Sequence, residues 1–544
     1  MEAAVKKGKK LNKTALIVAF VHFVVSFFTD RLIFEYAWLD ASTTRELLRS
    51  AETIVVKVVF LLVLIGLWQA AFWAVRQANR FFLKVAGGYM AFMMLLLLVT
   101  WPGIWRMDEF GILSSSIQLF PHFWQNYITS VFYILALMLL PFPAGVVIVQ
   151  CACISVIVAR LVTLCVSPGN TLALAQKRSW FLLFLPFLML PVLDSNLYPI
   201  RMSLYAFLEV LLIAELFFLA KVTRDAGVNV MAGKVSYWIY MTVLACVVTV
   251  WRTESVYYLA AYPVLLVWIG KGKRYIRQVI AYLILFVILF APQKIGEKMS
   301  SGEQYELTSV VLPLVPLVEA ANENADAQDR KLLDAIDEVI NVEVTLQGAA
   351  DGKSGINLFW GEPDFQRVYT SEQFAEFKSA YYQLIAKYPN VFFEERWKTF
   401  TESSDLLENT TELFTRDGVL NYTTFREYPL AKPINNNLRT DVIKKLELRQ
   451  AHDYNIKLGI ADGVYSAIPA IAILIIASVV LLCKKKWTAL LLVLTVLVKV
   501  PLVFLTAPSR LFMYYYSVYL FGYCMLFYII YQFCMRNRND VVVS

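Results

Sequence analysis

Apolar residues gather along this chain in long runs at about 14–29, 53–74, 84–102, 126–140, 143–166, 179–194, 202–220, 234–251, 255–270, 278–292, 463–483, 487–506 and 511–533. Short polar connections separate them. A bilayer-crossing helix needs about 20 apolar residues, and most of these runs approach that length. The pattern predicts an all-α polytopic membrane protein. One polar stretch, about 293–460, interrupts it and reads as a soluble α-rich domain. Helical spacing is plain at Asp329 through Ile336 and from Phe374 to Tyr388, just before Pro389. Gly348 through Asp364, with its Gly, Asp and Pro residues, reads as a loop.

Charge decides which runs cross. If all did, Lys177 and Arg178 would share a side with the Asp108 segment, and later basic clusters would follow them. Leaving out 126–140, which is short and ends at Pro141-Phe142-Pro143, repairs this; that run suits an interfacial or re-entrant helix. The basic clusters then fall together: Lys6, Lys7, Lys9, Lys10 and Lys13; Arg76, Arg80 and Lys84; Lys177 and Arg178; Lys221, Arg224 and Lys234; Lys271, Lys273, Arg274 and Arg277; Lys484 to Lys486; Arg536 and Arg538. Such clusters mark the cytoplasmic side. About 12 transmembrane helices are expected, with both termini cytoplasmic in a plasma-membrane protein. The domains are 1–292 (transmembrane, with an outer loop at about 102–142), 293–460 (extracytoplasmic) and 461–544 (transmembrane). The N-terminal run lacks a small-residue cleavage site and reads as a retained first span. No internal repeat stands out.

Composition agrees: 59% of the 544 residues are hydrophobic and 17% charged, against about 25% charged in soluble domains. A soluble enzyme is excluded. The net charge of +8 resides in the orienting clusters, so no nucleic-acid partner is implied. All seven cysteines lie in or beside apolar runs, and the three histidines (22, 122, 452) are far apart. Neither a disulfide framework nor a zinc motif is present.

This topology gathers polar residues at the outer boundary. Trp101 through Phe110 follows the third run and includes Arg106, Asp108 and Glu109. Gln118 and then Pro121-His122-Phe123-Trp124-Gln125-Asn126 come next. Later exits carry Asp194 through Arg201, Trp251-Arg252-Thr253-Glu254 and Ala507-Pro508-Ser509-Arg510. Four arginines (106, 201, 252, 510) therefore stand one per outer loop, against the positive-inside trend. Each is either an interfacial anchor paired with a carboxylate or a member of a set converging on a phosphate, which guanidinium binds through paired hydrogen bonds.

A third-run exit reading Pro-Gly followed by Asp108-Glu109, a later Gln118, the Pro121-His122-Phe123-Trp124-Gln125 start of the next helix, an Arg201-bearing outer loop, and Ala507-Pro508-Ser509-Arg510 followed by Tyr514-Tyr515-Tyr516 together resemble the GT-C class of integral-membrane glycosyltransferases. The resemblance implies a GT-C-like fold and transfer of a sugar from a polyprenyl-phosphate donor to a cell-surface glycan or polymer on the outer side of the membrane. By position, Asp108 becomes the catalytic base or acceptor-positioning group, with Glu109 beside it. Arg201, Arg252 and Arg510 would stabilise the departing phosphate, with His122, Asp194 and Glu254 completing the binding set. No cofactor is expected with a monophosphate carrier; a diphosphate carrier would call for a divalent ion held by the acidic pair. The chain departs from the class in having two spans before the loop and its polar domain inserted between late spans.

Two rival readings share the arginine logic: a transporter or flippase of lipid-linked sugars, and a glycan polymerase using lipid-diphosphate-linked repeat units. Glu209 and Glu215 lie within one span, where a carboxylate costs about 2.5–3.5 kcal/mol to insert. Their spacing of six sets them on different helix faces, and Lys57, Arg160 and Lys499 are candidate partners. Trp360 and Trp397 of the outer domain are expected mainly in its core, with stacking on sugar rings as the alternative.

Overall fold

The computed structural model describes residues 12–35, 44–77, 80–166, 178–226, 235–270, 275–300, 304–404, 418–446 and 465–542. Lys6, Lys7, Lys9, Lys10, Lys177, Lys234, Lys271, Lys273, Arg274 and His452 lie outside them. The regular structure of the described residues is helical, without a strand; one isolated bridge joins Ile340 and Gln366. Among the described residues, eight helices are long and apolar enough to cross a membrane, and nine if a bent pair counts as one span. The protein is membrane-embedded. The runs expected at 234–251, 255–270 and 463–483 form shorter helices of 17, 13 and 16 residues.

The chain divides into two compact units. One comprises Met1–Phe290, Thr415–Leu448 and Tyr523–Ser544; the other comprises Ala291–Phe414 and Arg449–Gly522. The polar stretch 293–460 is thus shared between them.

In the first unit the helices are α1 (Lys13–Thr29), α2 (Thr44–Gln77), α3 (Arg80–Val99), α4 (Met107–Ile117), α5 (Tyr127–Leu139), α6 (Pro143–Val166), α7 (Leu190–Leu197), α8 (Arg201–Ala226), α9 (Val235–Trp251), α10 (Tyr258–Gly270) and the start of α11 (Ile276–Ser300). Burial sorts them. The apolar window of α8 is 83% buried and that of α6 67%, whereas α3 reaches 22% and α2 17%. α6 packs between α3 and α8 and forms the centre of this unit.

Proline places two of the irregularities. α5 spans only 13 residues, and Leu140, ahead of Pro141, is extended, because a residue before proline is driven out of helical geometry. This short helix is the one expected from the 126–140 run. The run at 179–194, expected as a span, is a 3₁₀ segment, Arg178–Leu188, joined to α7 with a 60° bend. Pro186 and Pro191 each lack the N–H that a continuous helix would need there.

In the second unit, α12 (Gln304–Asn324), α13 (Ala327–Asp337), α14 (Val342–Ala350), α15 (Gly355–Gly361), α16 (Ser371–Lys387) and α17 (Pro389–Ser404) enclose one core. The two helices read from the sequence are α13 and α16. Asp326 caps α13, and Thr370 with Gln373 forms a capping box on α16. The segment 348–364, expected as a loop, contains α15. Ser354 caps it, Leu358 and Phe359 are buried, and Gly355 touches α12 so closely that a Cβ would lie 2.0 Å from the Val311 carbonyl oxygen. Burial of that apolar pair outweighs the loop-forming composition. Trp360 and Trp397 are 57% and 52% exposed, so the core expected for them is filled by other residues, chiefly Phe374, Phe377, Ile336 and Leu358. The unit also holds α19 (Ile468–Cys483), α20 (Trp487–Leu497) and α21 (Lys499–Thr506).

Phe377 is fully buried in this core. Phe377→Ala should cost about 3–5 kcal/mol and lower the thermal midpoint in detergent; an unchanged midpoint would contradict the packing described.

Candidate functional site

The site is built on the loop between α3 and α4. Gly103 has φ +102°, and a Cβ there would lie 2.8 Å from Val147 and 3.0 Å from the Leu197 carbonyl oxygen. Only glycine suits both the backbone and the space. Its neighbour Ile104 donates its N–H to Leu197 O at 2.9 Å, lacing the loop to the end of α7. Arg106 follows in extended geometry as the N-cap of α4. Its buried guanidinium lies 3.6 Å from the equally buried Asp194 carboxylate and 4.1 Å above the Tyr198 ring.

Asp108 and Glu109 occupy the first turn of α4, where free backbone N–H groups favour negative charge. Their surroundings differ. Glu109 is fully buried and accepts a hydrogen bond from the Tyr198 hydroxyl, while its Oε1 has no partner among the described residues. Burial, reinforced by the Asp108 charge, pushes its carboxyl up to about 8. At neutral pH it carries a proton. Asp108 is exposed, yet enough protein surrounds it to hold its carboxyl above the usual range, against the opposing pull of Arg201. It thus stands at the rim of the cluster with solvent on one side. Gln125 donates to Asp108 Oδ2 at 3.4 Å.

The turn leading into α8 is closely wired. Gln150 donates to the Asn196 and Tyr198 carbonyls at 3.2 and 2.8 Å, Tyr133 to Pro199 O at 2.7 Å, and Ser195 and Ser203 meet at 2.6 Å. These bonds place Arg201, the first residue of α8, within electrostatic reach of Asp108.

The remaining residues expected at the site are arranged differently. Asp194 is engaged by Arg106. Arg252 is buried, ion-paired with Glu254, and 5.9 Å from the ring of Tyr205, one turn along α8 from Arg201. The His122 backbone N–H donates to Ser130 Oγ, and its ring packs edge-on against Trp124; burial lowers its pKa and keeps it neutral at pH 7. Arg510 belongs to the second unit, where Glu395 at 2.7 Å and Glu402 at 3.3 Å bind it. Of the expected phosphate-binding arginines, Arg201 is the one seen coupled to Asp108.

Sequence reasoning missed Arg439. It lies on α18 (Asn436–Leu446), is 1% exposed, and donates to Gly103 O at 2.7 Å and Thr100 O at 3.2 Å. Gly418 N–H donates to Trp105 O at 2.7 Å, and Tyr422 stacks on Phe110 with ring centres 4.5 Å apart. Residues 418–446 therefore form a strap over the start of α4. Nothing in local sequence announces contacts made more than 300 positions away. Tyr198 was also missed, although it stands within the Asp194–Arg201 run.

Among the described residues, no group of three His, Cys, Asp or Glu side chains is placed to hold a metal ion. No protein-family model matches the chain, and comparison with curated proteins and with solved structures finds none similar to it.

The folded Glu109 carboxyl titrates near 8, above its free value of about 4.3. Between those values the folded chain holds a proton that the unfolded chain has released, so the stabilising contribution is complete at acid pH and lost by about pH 8. Glu109→Gln retains an acceptor for Tyr198 and should flatten the fall in thermal midpoint between pH 5 and 8. A wild-type slope in the variant would remove Glu109 as its source.

Proposed function

We propose that this protein is a glycosyltransferase of the GT-C type, moving a sugar from a polyprenyl-phosphate donor to a cell-surface glycan or polymer at the outer face of the plasma membrane. The observation that carries this reading is Asp108: a carboxylate on the first turn of α4, open to solvent on one side, held above its usual pKa and coupled to Arg201. An acceptor hydroxyl attacks the anomeric carbon, its proton passes to Asp108, and the bond from that carbon to the lipid phosphate breaks. Arg201 stabilises the negative charge left on the phosphate. Protonated Glu109 leaves the base beside a neutral neighbour instead of a second anion.

The transporter reading draws on the buried carboxylates of α8. Each has partners: Tyr257 and Tyr258 donate to Glu209, while Arg160, Tyr237 and Tyr240 surround Glu215. Such pairing supports a packed bundle more than an open pathway. A polymerase using a diphosphate donor would need more positive charge than Arg201 brings.

Asp108→Asn should lower sugar transfer from a labelled polyprenyl phosphate by about 10²–10⁴-fold at equal protein level. Wild-type transfer by the variant would end the assignment. Because Arg201 lowers the Asp108 pKa, Arg201→Gln should move the acid limb of the pH–rate profile to higher pH, and an unmoved limb would uncouple the two groups.

A further inference from the structure

The strap does more than cover α4. At its 426–434 stretch it stands away from the last turn of α3 and leaves a cleft of about 730 Å³ between them. Leu98 and Trp101 form one wall; Leu430 and Ile434 contribute the apolar part of the other. Trp101 Nε1–H donates to Leu430 O at 2.7 Å and fixes the strap at this level. The level is set by α3, a candidate span whose Leu95 and Leu98 are 64% and 50% exposed, as lipid-facing residues would be. Leu430 and Ile434, at 64% and 68% exposed, carry that apolar surface past the end of the span. They would be costly to leave in water.

The cleft also has a charged lip. Arg426 and Lys432 line it, and neither is ion-paired among the described residues; Arg426 Nε donates to Val419 O at 3.4 Å, leaving the rest of its guanidinium unused. Glu427 lies on the same lip, and Glu35 is close enough to Tyr428 to act on its hydroxyl, so the two basic side chains face carboxylates near by. Tyr428 adds a hydroxyl. Cations directly above an apolar wall at the end of a span match one chemistry: a phosphate attached to acyl chains.

We propose that this cleft binds an anionic glycerophospholipid from the leaflet that meets the Val99 end of α3, with its phosphodiester on Arg426 and Lys432 and its first methylenes on Leu98, Leu430 and Ile434. The phosphodiester meets two basic side chains, Arg426 and Lys432, whereas a zwitterionic headgroup brings a cation of its own towards them. This binding is independent of sugar transfer, so it stands or falls apart from the proposed activity.

The test is native mass spectrometry of the full chain, delipidated in detergent and then offered phosphatidylglycerol, phosphatidylcholine or undecaprenyl phosphate. Wild type should retain one more phosphatidylglycerol than phosphatidylcholine. The double variant Arg426→Gln/Lys432→Gln should weaken that binding about tenfold with an unchanged thermal midpoint, and Ile434→Asp should do the same from the apolar side. Equal retention of the two phospholipids, or undiminished phosphatidylglycerol on the double variant, overturns the proposal. So does undecaprenyl phosphate displacing the bound phosphatidylglycerol at equal concentration, which would assign the cleft to a carrier lipid.

Discussion

A buried guanidinium and a buried carboxylate, Arg106 and Asp194, are the constraint on which the first unit's polar cluster depends. Removing two charges from water costs several kcal/mol per ion, and their attraction offsets this only in good geometry. Such a pair is weak evidence for stability but strong evidence for placement. It ties the residue that starts α4 to the end of the bent 178–197 segment, and so decides where the next two side chains, Asp108 and Glu109, stand. Tyr198 completes the arrangement by lying under the guanidinium while donating to Glu109. One buried pair thus separates two neighbouring carboxyls into a rim group and an interior group with different protonation.

The strap is the second element of that placement. A loop carrying Gly103 with positive φ has little tendency of its own to hold one conformation. Its carbonyls at Thr100 and Gly103 are taken up by Arg439, and that of Trp105 by the Gly418 backbone. A buried arginine has five donors to satisfy, and here backbone oxygens satisfy part of that need. The consequence is that residues far along the chain stiffen the approach to Asp108.

Much of this was legible beforehand in the pattern of apolar runs. The short helix before Pro141, the helices from 327 and 371, and the cluster of polar residues at the ends of runs follow from proline chemistry, periodicity and charge. Other features were not. The bend at 186–191 was hidden because a 16-residue apolar run reads the same whether it is α-helical or 3₁₀. The helix at 355–361 was hidden because its composition is that of a loop and only contact with α12 stabilises it. The fates of Arg252 and Arg510 were hidden because a lone arginine beside a carboxylate reads equally as an anchor or a ligand site. In the structure Arg252 pairs with Glu254, and Arg510 with Glu395 and Glu402.

The same logic explains which helices are central. α8 carries Glu209 and Glu215 and has the most buried apolar window of the candidate spans. A carboxylate facing lipid is expensive, so a helix with two of them on different faces must be surrounded by protein that supplies donors on both. α9 and α10, with Tyr237, Tyr240, Tyr257 and Tyr258 at or near their starts, and Arg160 from α6, do so. Lys57 tests the rule from the other side, since it lies on α2, a largely uncovered helix. Its ammonium is nevertheless 3% exposed, because α1 brings Asp30 and Ser26 against it and the rings of Phe23, Phe27 and Phe60 close round the charge. A helix at the edge of the bundle can carry a charge only by taking a neighbour with it, which is why α1 and α2 pack as a pair.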